Sequence, residues 1–470
     1  MTFCWRRRWL LMLGAVVGTV ATFLPTGSLV TADPAKPDVD VERLDQFITT
    51  SVAAAHIPTA QVVVVSADDV VWAKSYGTAQ PLETPFVIGS MSKSVTAQAV
   101  LQLVDQGLIN LDDSLAQFID PDHPAASFAD NVTISELLTH TSGIQAFAIS
   151  DITTQANKDF SYANANYGLL GHIIEQVSQV SYATYVSQHI FAPMGLSNSY
   201  ADHQAALDGG LSPSYRNWFG FYDRQQPQWP AEQVPAGYIS SSAVDLGRYL
   251  QTFLNHGQAA DGTQVFAPEM LATIATAAVP SGPQDRYAMG WQLLDMAGQT
   301  VYRHDGATET FSSYMALIPE REIAVVILLN AGDYLGGWMI GGFYEELNAG
   351  VTNILLDRES DANESINTHR FTLVHLGIDV VWLLLLLASA GPLLRYRHWR
   401  AQRVTRQNTK LPLSGIVILA LAGLIWVPFV LTGQSVSTVA GFAPEVIVVF
   451  ALASPLLALG AILRLVRFRA

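Results

Sequence analysis

Apolar runs long enough to cross a bilayer, about 20 residues, occur in this chain only after residue 370, and they fix the solvent of its C-terminal part as lipid. Three such runs stand out, at about 371–394, 412–431 and 446–463. Between the first and second lie Arg395, Arg397, Arg400, Arg403, Arg406 and Lys410, and Arg464, Arg467 and Arg469 follow the third. The 434–445 loop has no Lys or Arg. The positive-inside bias therefore places the basic loop and the C-terminus in the cytoplasm, and three crossings place everything before residue 371 outside.

The N-terminus points the same way. Arg6, Arg7 and Arg8 precede an apolar run from Trp9 to Leu24, and Val30-Thr31-Ala32 fits a small-residue processing site, so residues 1–32 are expected to be a secretory signal or, uncleaved, an anchor helix. Either way the next segment is exported. Half of the residues are hydrophobic and only 14% are charged, as expected of a chain partly in lipid. Residues 33–370 hold 38 Asp and Glu against 13 Lys and Arg, a formal charge of −25, which argues against a nucleic-acid partner and against docking on anionic headgroups. The single cysteine, Cys4, lies in the signal-like segment, so the exported part has no disulfide, no thiol nucleophile and no Cys-based metal site. No metal or other cofactor is expected.

Within the exported part, Val41–Ala55 has helical spacing, and two β-like runs follow at Gln61–Ser66 and Val70–Tyr76. From Ser90 the apolar residues Val95, Val100, Leu101, Leu103 and Val104 recur at helical intervals up to Gly107, so Ser90 is expected at a helix N-terminus. The middle, about 110–280, alternates short helical patterns with loops. Ser242 to Asp245 resembles a capping box opening another helix. Near the end Val301–Arg303, Ser313–Ile318 and Ile323–Leu329 read as strands, followed by a helical pattern at Phe343–Leu355. Strands from both ends with helices between predict an α+β domain over 33–356, with an antiparallel sheet built from both ends and an inserted helical subdomain. A polar linker, 357–370, leads to the membrane region 371–470.

Three short motifs carry candidate chemistry. In Ser90-Met91-Ser92-Lys93 the first and last residues share a helix face, so the lysine amine can reach the hydroxyl, provided its pKa is lowered by desolvation or a neighbouring cation. Lys93 is the only one of five lysines placed this way, although a helix N-cap with an exposed lysine would look the same. In Tyr162-Ala163-Asn164 a phenol near a lysine ammonium is expected to have a lowered pKa and to relay a proton, with Asn164 as an orienting amide. A tyrosine packed at a helix start is the plain alternative. In His304-Asp305-Gly306 the glycine permits close approach of a ligand, and the Ala307 N–H together with that of Ser90 can polarise a carbonyl.

In this order, Ser-x-x-Lys, Tyr-x-Asn and His-x-Gly resemble the motif set of class C β-lactamases, D-alanyl-D-alanine carboxypeptidases and related penicillin-binding-protein-like esterases and D-aminopeptidases. The surrounding Phe86–Gly89, Leu137–Gly143 and Gly237–Ser240 match as well, and the resemblance spans roughly 41–355. It implies Ser90 as acylated nucleophile, Lys93 and Tyr162 as the acid/base pair, Asn164 as orienting amide, and the N–H groups of Ser90 and Ala307 as oxyanion donors. It also implies that His304 and Gly306 line the substrate. The third motif departs from the lysine and hydroxyl pair of β-lactamases. Asp305 disfavours an anionic substrate unless it points away, which turns the expectation toward an amidase, peptidase or esterase on a small-molecule or peptide substrate, probed first with D-amino-acid or cell-wall-type compounds.

Other features allow two readings. Trp218, Phe219, Phe221, Tyr222 and Trp229 either border the cleft or form a packed insertion. His375 and Asp379, four apart near the outer end of the first run, are either functional or paired with one another. Gly-x-Ser-x-Gly, His-Glu-x-x-His and phosphate-loop motifs are absent. A non-catalytic binding or sensor module remains the alternative to acyl transfer, and three spans poor in polar residues make a poor transport path.

Overall fold

The run Val62-Val63-Val64-Val65 is apolar at every position, the pattern of a strand covered on both faces. In the computed structural model, which describes residues 39–146, 148–149, 152–154, 158–227, 229–296, 298–358, 368–394, 416–420, 422–423 and 436–469, these valines form the middle of β1 (Thr59–Ser66). With β2 (Val70–Gly77), β3 (Val279–Pro280), β4 (Asp285–Ala288), β5 (Trp291–Met296), β6 (Gln299–Ala307), β7 (Ser312–Ile318) and β8 (Ile323–Leu329) they build an eight-stranded sheet. Its order is β2-β1-β8-β7-β6-β5-β4-β3, with every pairing antiparallel. The N-terminal hairpin joins the C-terminal strands through β1 and β8, in the register Val63 opposite Val326 and Val64 opposite Val325.

Each face has its own core. Val62 and Val64 pack with Leu44, Ile48 and Val52 of α1 (Val41–Ala54) and with Leu347 and Val351 of α5 (Phe343–Leu355). Val63, Val65, Val326 and Leu328 pack on the other side with Val95 and Leu103 of α2 (Ser92–Asp105) and with Leu246 and Leu250 of α4 (Ala243–Leu254). Beyond that face lies the inserted helical subdomain, which includes α3 (Asn164–Ser178). The expected α+β arrangement is therefore present, and two expectations need correction. Strands β4 and β5 fall in a stretch not read as strand, because Asp285, Arg286 and Asp295 interrupt its apolar pattern. At α4, Ser242 Oγ accepts from the Asp245 N–H as predicted, but Asp245 does not close a capping box. Its carboxylate instead accepts from Asn198 N–H and Ser199 Oγ, across the subdomain.

Among the described residues, two helices are long and apolar enough to cross a membrane, α6 (Thr368–Leu394) and α7 (Pro444–Arg469). The last three residues of the expected linker already belong to α6. Trp382 meets Phe450 with ring centroids 6.2 Å apart, and Gly460 lies against Pro392, so the two helices run in the same direction. Of the predicted middle run, 412–431, only 416–420 and 422–423 are described, as helix, with the Ala422 carbonyl accepting from Ser454 Oγ. The expected signal segment and the basic loop lie outside the described residues.

Candidate active site

Ser90 sits in a single 3₁₀ turn, Gly89–Met91, that runs directly into α2, so Lys93 lies one turn further along the same face. Lys93 Nζ is 3.0 Å from Ser90 Oγ and donates to Asn164 Oδ1 at 2.8 Å and to the Ala236 carbonyl at 2.6 Å. The lysine is fully buried. An ammonium there satisfies its three donors, yet burial alone holds the amine well below the ordinary lysine range, favouring the neutral form. A neutral amine keeps two donors for Asn164 and Ala236 and turns its lone pair toward the Ser90 hydroxyl.

The turn is brought to the sheet by two glycines. Pairing of β6 with β5 stops at Arg303, whereas pairing with β7 continues to Ala307, so His304–Ala307 have one side free of strand partners. The Ile88–Ser90 segment fills that side. A Cβ on Gly306 would lie 2.2 Å from the Ile88 carbonyl oxygen, and one on Gly89, whose φ is 53°, would lie 2.5 Å from the Ala307 nitrogen. Ser313 Oγ donates to the Ile88 carbonyl at 2.7 Å and ties the turn down.

Tyr162 lies over Lys93, its ring centroid 4.8 Å from Nζ, with the Ser90 side chain near enough to its hydroxyl to bear on its pKa. Its pKa is raised, not lowered as expected. Desolvation of the hydroxyl is the largest cause, the neighbouring Ser90 side chain offsets part of it, and the Asp305 carboxylate adds to it. The lysine expected to depress it is itself kept from charging. Although 42% of Tyr162 remains exposed, its hydroxyl end is enclosed.

His304 is buried, with Nδ1 at 2.7 Å from the Asp305 carbonyl and Nε2 at 3.4 Å from the Tyr287 hydroxyl. Burial, helped by Lys93, pushes its pKa down to about 3, so it is neutral at physiological pH. Asp305, next along the strand, turns to the opposite face, where its Oδ1 accepts from Asn348 Nδ2 of α5 at 2.6 Å. It still lines a cleft of about 510 Å³ together with Ser90, Ala307, Glu345 and Arg370 of α6.

A family model described as Beta-lactamase matches residues 44–336. The chain belongs to the Beta-lactamase family. Members of this serine β-lactamase and penicillin-binding-protein family are serine hydrolases acting on amides or esters. Among curated relatives, this Beta-lactamase family chain is 29% identical to "Penicillin-binding protein 4" of Amycolatopsis lactamdurans over 62% of its length and 84% of that protein. It is 25% identical to "Protein flp" of Staphylococcus aureus (strain NCTC 8325 / PS 47) over 84% of each. Its fold resembles the octameric penicillin-binding protein homologue from Pyrococcus abyssi, with TM-score 0.58, 25% identity, and coverage of 69% of this chain and 79% of that one.

The seven residues singled out in the sequence cluster around the nucleophile turn, with Ser90 and Ala307 lining the cleft, and two more groups belong with them. The Ala236 carbonyl is backbone in a turn, Val234–Tyr238, so no side-chain pattern reveals it. His140, in the Leu137–Gly143 stretch, adopts φ 57°, which aims its ring beneath Tyr162 at 4.4 Å between centroids. Its Nδ1 accepts from Asn166 Nδ2 at 2.9 Å and from Ala163 N–H at 3.3 Å, while its carbonyl accepts from Ser161 N–H at 2.8 Å. His140 thereby holds the backbone on both sides of Tyr162. Buried and beside Lys93, it is kept neutral.

None of the aromatic residues 218–229 singled out earlier lines this cleft. Tyr222 and Trp229 follow the packed reading: Tyr222 hydrogen-bonds Tyr344 at 3.1 Å and stacks on Phe371 of α6, and Trp229 stacks on His203; Phe221 follows neither reading and is exposed. His375 does not need Asp379 as its partner, because its Nε2 lies 2.9 Å from Asp333 Oδ2.

Proposed function

We propose that this chain is a membrane-anchored, extracytoplasmic serine hydrolase that works through an acyl-enzyme on Ser90. The observation that carries the reading is a wholly buried amine, Lys93, 3.0 Å from a hydroxyl that opens onto a cleft. Neutral Lys93 takes the Ser90 proton as Oγ attacks the carbonyl carbon. The N–H groups of Ser90 and Ala307 stabilise the oxyanion, and Tyr162, over the Lys93 amine, passes a proton to the leaving alcohol or amine. Water then attacks the ester and the steps reverse. Asn164 and the Ala236 carbonyl keep the amine in place between steps.

Neutral His304 and the carboxylates Asp305 and Glu345 favour acyl donors without an anionic group beside the scissile bond. D-Amino-acid amides and esters of the cell-wall type are therefore the first substrate class to test, ahead of carboxylate-bearing β-lactams. Anchoring is supported by α6 and α7. Because these two run in the same direction, the chain between them has to recross, and the apolar run 412–431 offers the length. The charge bias favours an outward-facing hydrolase. The test is turnover by the full chain in detergent against a panel of D-amino-acid amides, simple esters and β-lactams. Turnover confined to β-lactams would overturn the substrate preference, and no turnover or acylation with any compound would favour a binding module.

A further inference from the structure

The cleft that starts at Ser90 extends to the start of α6. Its far wall is Tyr334, Trp338, Met339, Ile340 and Arg370. Tyr334, Met339 and Ile340 are 41%, 66% and 55% exposed, an unusual density of large apolar side chains on a surface as acidic as this one. They belong to one turn, Tyr334–Ile340, which is laid against the beginning of the first membrane helix. Gly336 touches the His375 ring, Gly341 faces Val374, and Arg370 Nη2 donates to the Gly341 carbonyl at 2.8 Å. On the other side Tyr334 meets Phe442, just ahead of the second membrane helix, with ring centroids 5.4 Å apart.

The contacts reach from Arg370 to His375, about 7.5 Å down an α-helix by its rise per residue. That depth matches the zone between headgroups and acyl chains. A second element reaches the same level. The hairpin tip at Gly220 faces His375, and the adjacent Phe221 is 79% exposed, though it does not line the cleft. Exposed apolar side chains from two separate parts of the chain thus surround the point where the helix enters lipid, and one of the two groups is also the mouth of the cleft.

We propose that the substrate of Ser90 is a membrane-borne amphiphile, an ester or amide whose apolar tail lies along Trp338, Met339 and Ile340 while its scissile carbonyl reaches Ser90 from the bilayer side. The proposal rests on Ser90 being the nucleophile and adds the origin and shape of the substrate. Near the carbonyl, Asp305 and Glu345 select a neutral or cationic polar portion; Arg370, held by Glu346 and the Gly341 carbonyl, closes the wall.

The experiment uses the full chain in phosphatidylcholine vesicles and two fluorophosphonates, one with an ethyl and one with a hexadecyl chain. In both, the Ser90 Oγ–P bond forms, the P–F bond breaks, and fluoride leaves with the serine proton. The readout is the ratio of labelling rates, hexadecyl to ethyl. The double variant Met339→Ser/Ile340→Ser should lower this ratio roughly tenfold, the scale expected for losing apolar contact at two side chains. Phe221→Ser, at the same membrane level but outside the cleft, should leave it within twofold. An unchanged ratio in the double variant, or an equal fall in Phe221→Ser, would overturn the proposal. Absence of labelling by either probe would instead overturn the nucleophile assignment. Both double-variant positions are exposed, so folding is not at stake, and circular dichroism of the vesicle-bound chain checks it.

Discussion

The amine of Lys93 lies 3.0 Å from the hydroxyl of Ser90 inside a shell that excludes water from the lysine completely. Tyr162 and Tyr167 face the amine at 4.8 and 5.6 Å, and neutral His140 and His304 complete the surround. A charged amine is disfavoured there, and a base is what remains.

Lys93 sets the pH dependence. Its folded pKa lies below the ordinary lysine value of 10.5, so between the two values the unfolded chain binds a proton that the native chain does not. Stability therefore rises with pH across that window. The same deprotonation gives the ascending limb of kcat/KM. Lys93→Met should lower kcat/KM by roughly 10²–10⁴ and flatten the rise of Tm between neutral and alkaline pH. Thermal unfolding of both proteins over that range checks the sign, since a steeper rise in the variant would contradict it.

Gly306 is where strand and nucleophile turn touch. In Gly306→Ala the new methyl meets the Ile88 carbonyl oxygen, and backbone has to move. A stability loss of about 1–3 kcal/mol is expected, with kcat falling roughly 10²-fold as the Ala307 N–H shifts from the oxyanion. Denaturant unfolding and steady-state kinetics measure the two effects separately.

How much of this was legible in the sequence depends on whether a feature is local. Ser90 and Lys93 share a helix turn, and the valines of β1 and the run Ile323–Leu329 carry their own pattern, so the nucleophile pair and the central strands could be read directly. The contacts of Ala236 and His140 could not. One is a carbonyl that meets Lys93 across 143 positions of sequence, the other a ring placed by a left-handed turn. The direction of the Tyr162 shift was misread for the same reason, since burial outweighs a neighbouring amine only once the surroundings are known. Strands β4 and β5 lacked an uninterrupted apolar pattern and emerged only through pairing, β5 with β6 and β4 with β5.

His140 is a positioning residue, so its loss should act on kcat more than on KM. His140→Ala should lower kcat roughly tenfold by freeing the segment around Tyr162. His140→Asn should restore much of it, because its amide oxygen can accept from Ala163 N–H and asparagine tolerates a positive φ. Equal kinetics for the two variants would rule out this role.

Asp305 bears on substrate charge. Asp305→Asn removes a carboxylate from the cleft while keeping a partner for Asn348. KM for a carboxylate-bearing cephalosporin should fall roughly 3- to 10-fold, and KM for a neutral ester should stay within twofold. A parallel fall for both would mean that Asp305 acts through shape alone.

The most direct measurement is intact mass of the full chain after reaction with a fluorophosphonate, beside Ser90→Ala treated identically. One adduct per chain, mapped to the peptide containing Ser90 and absent from the variant, is the expected result. An adduct that persists in Ser90→Ala, or a wild-type chain that takes up none while remaining folded, would contradict Ser90 as the nucleophile.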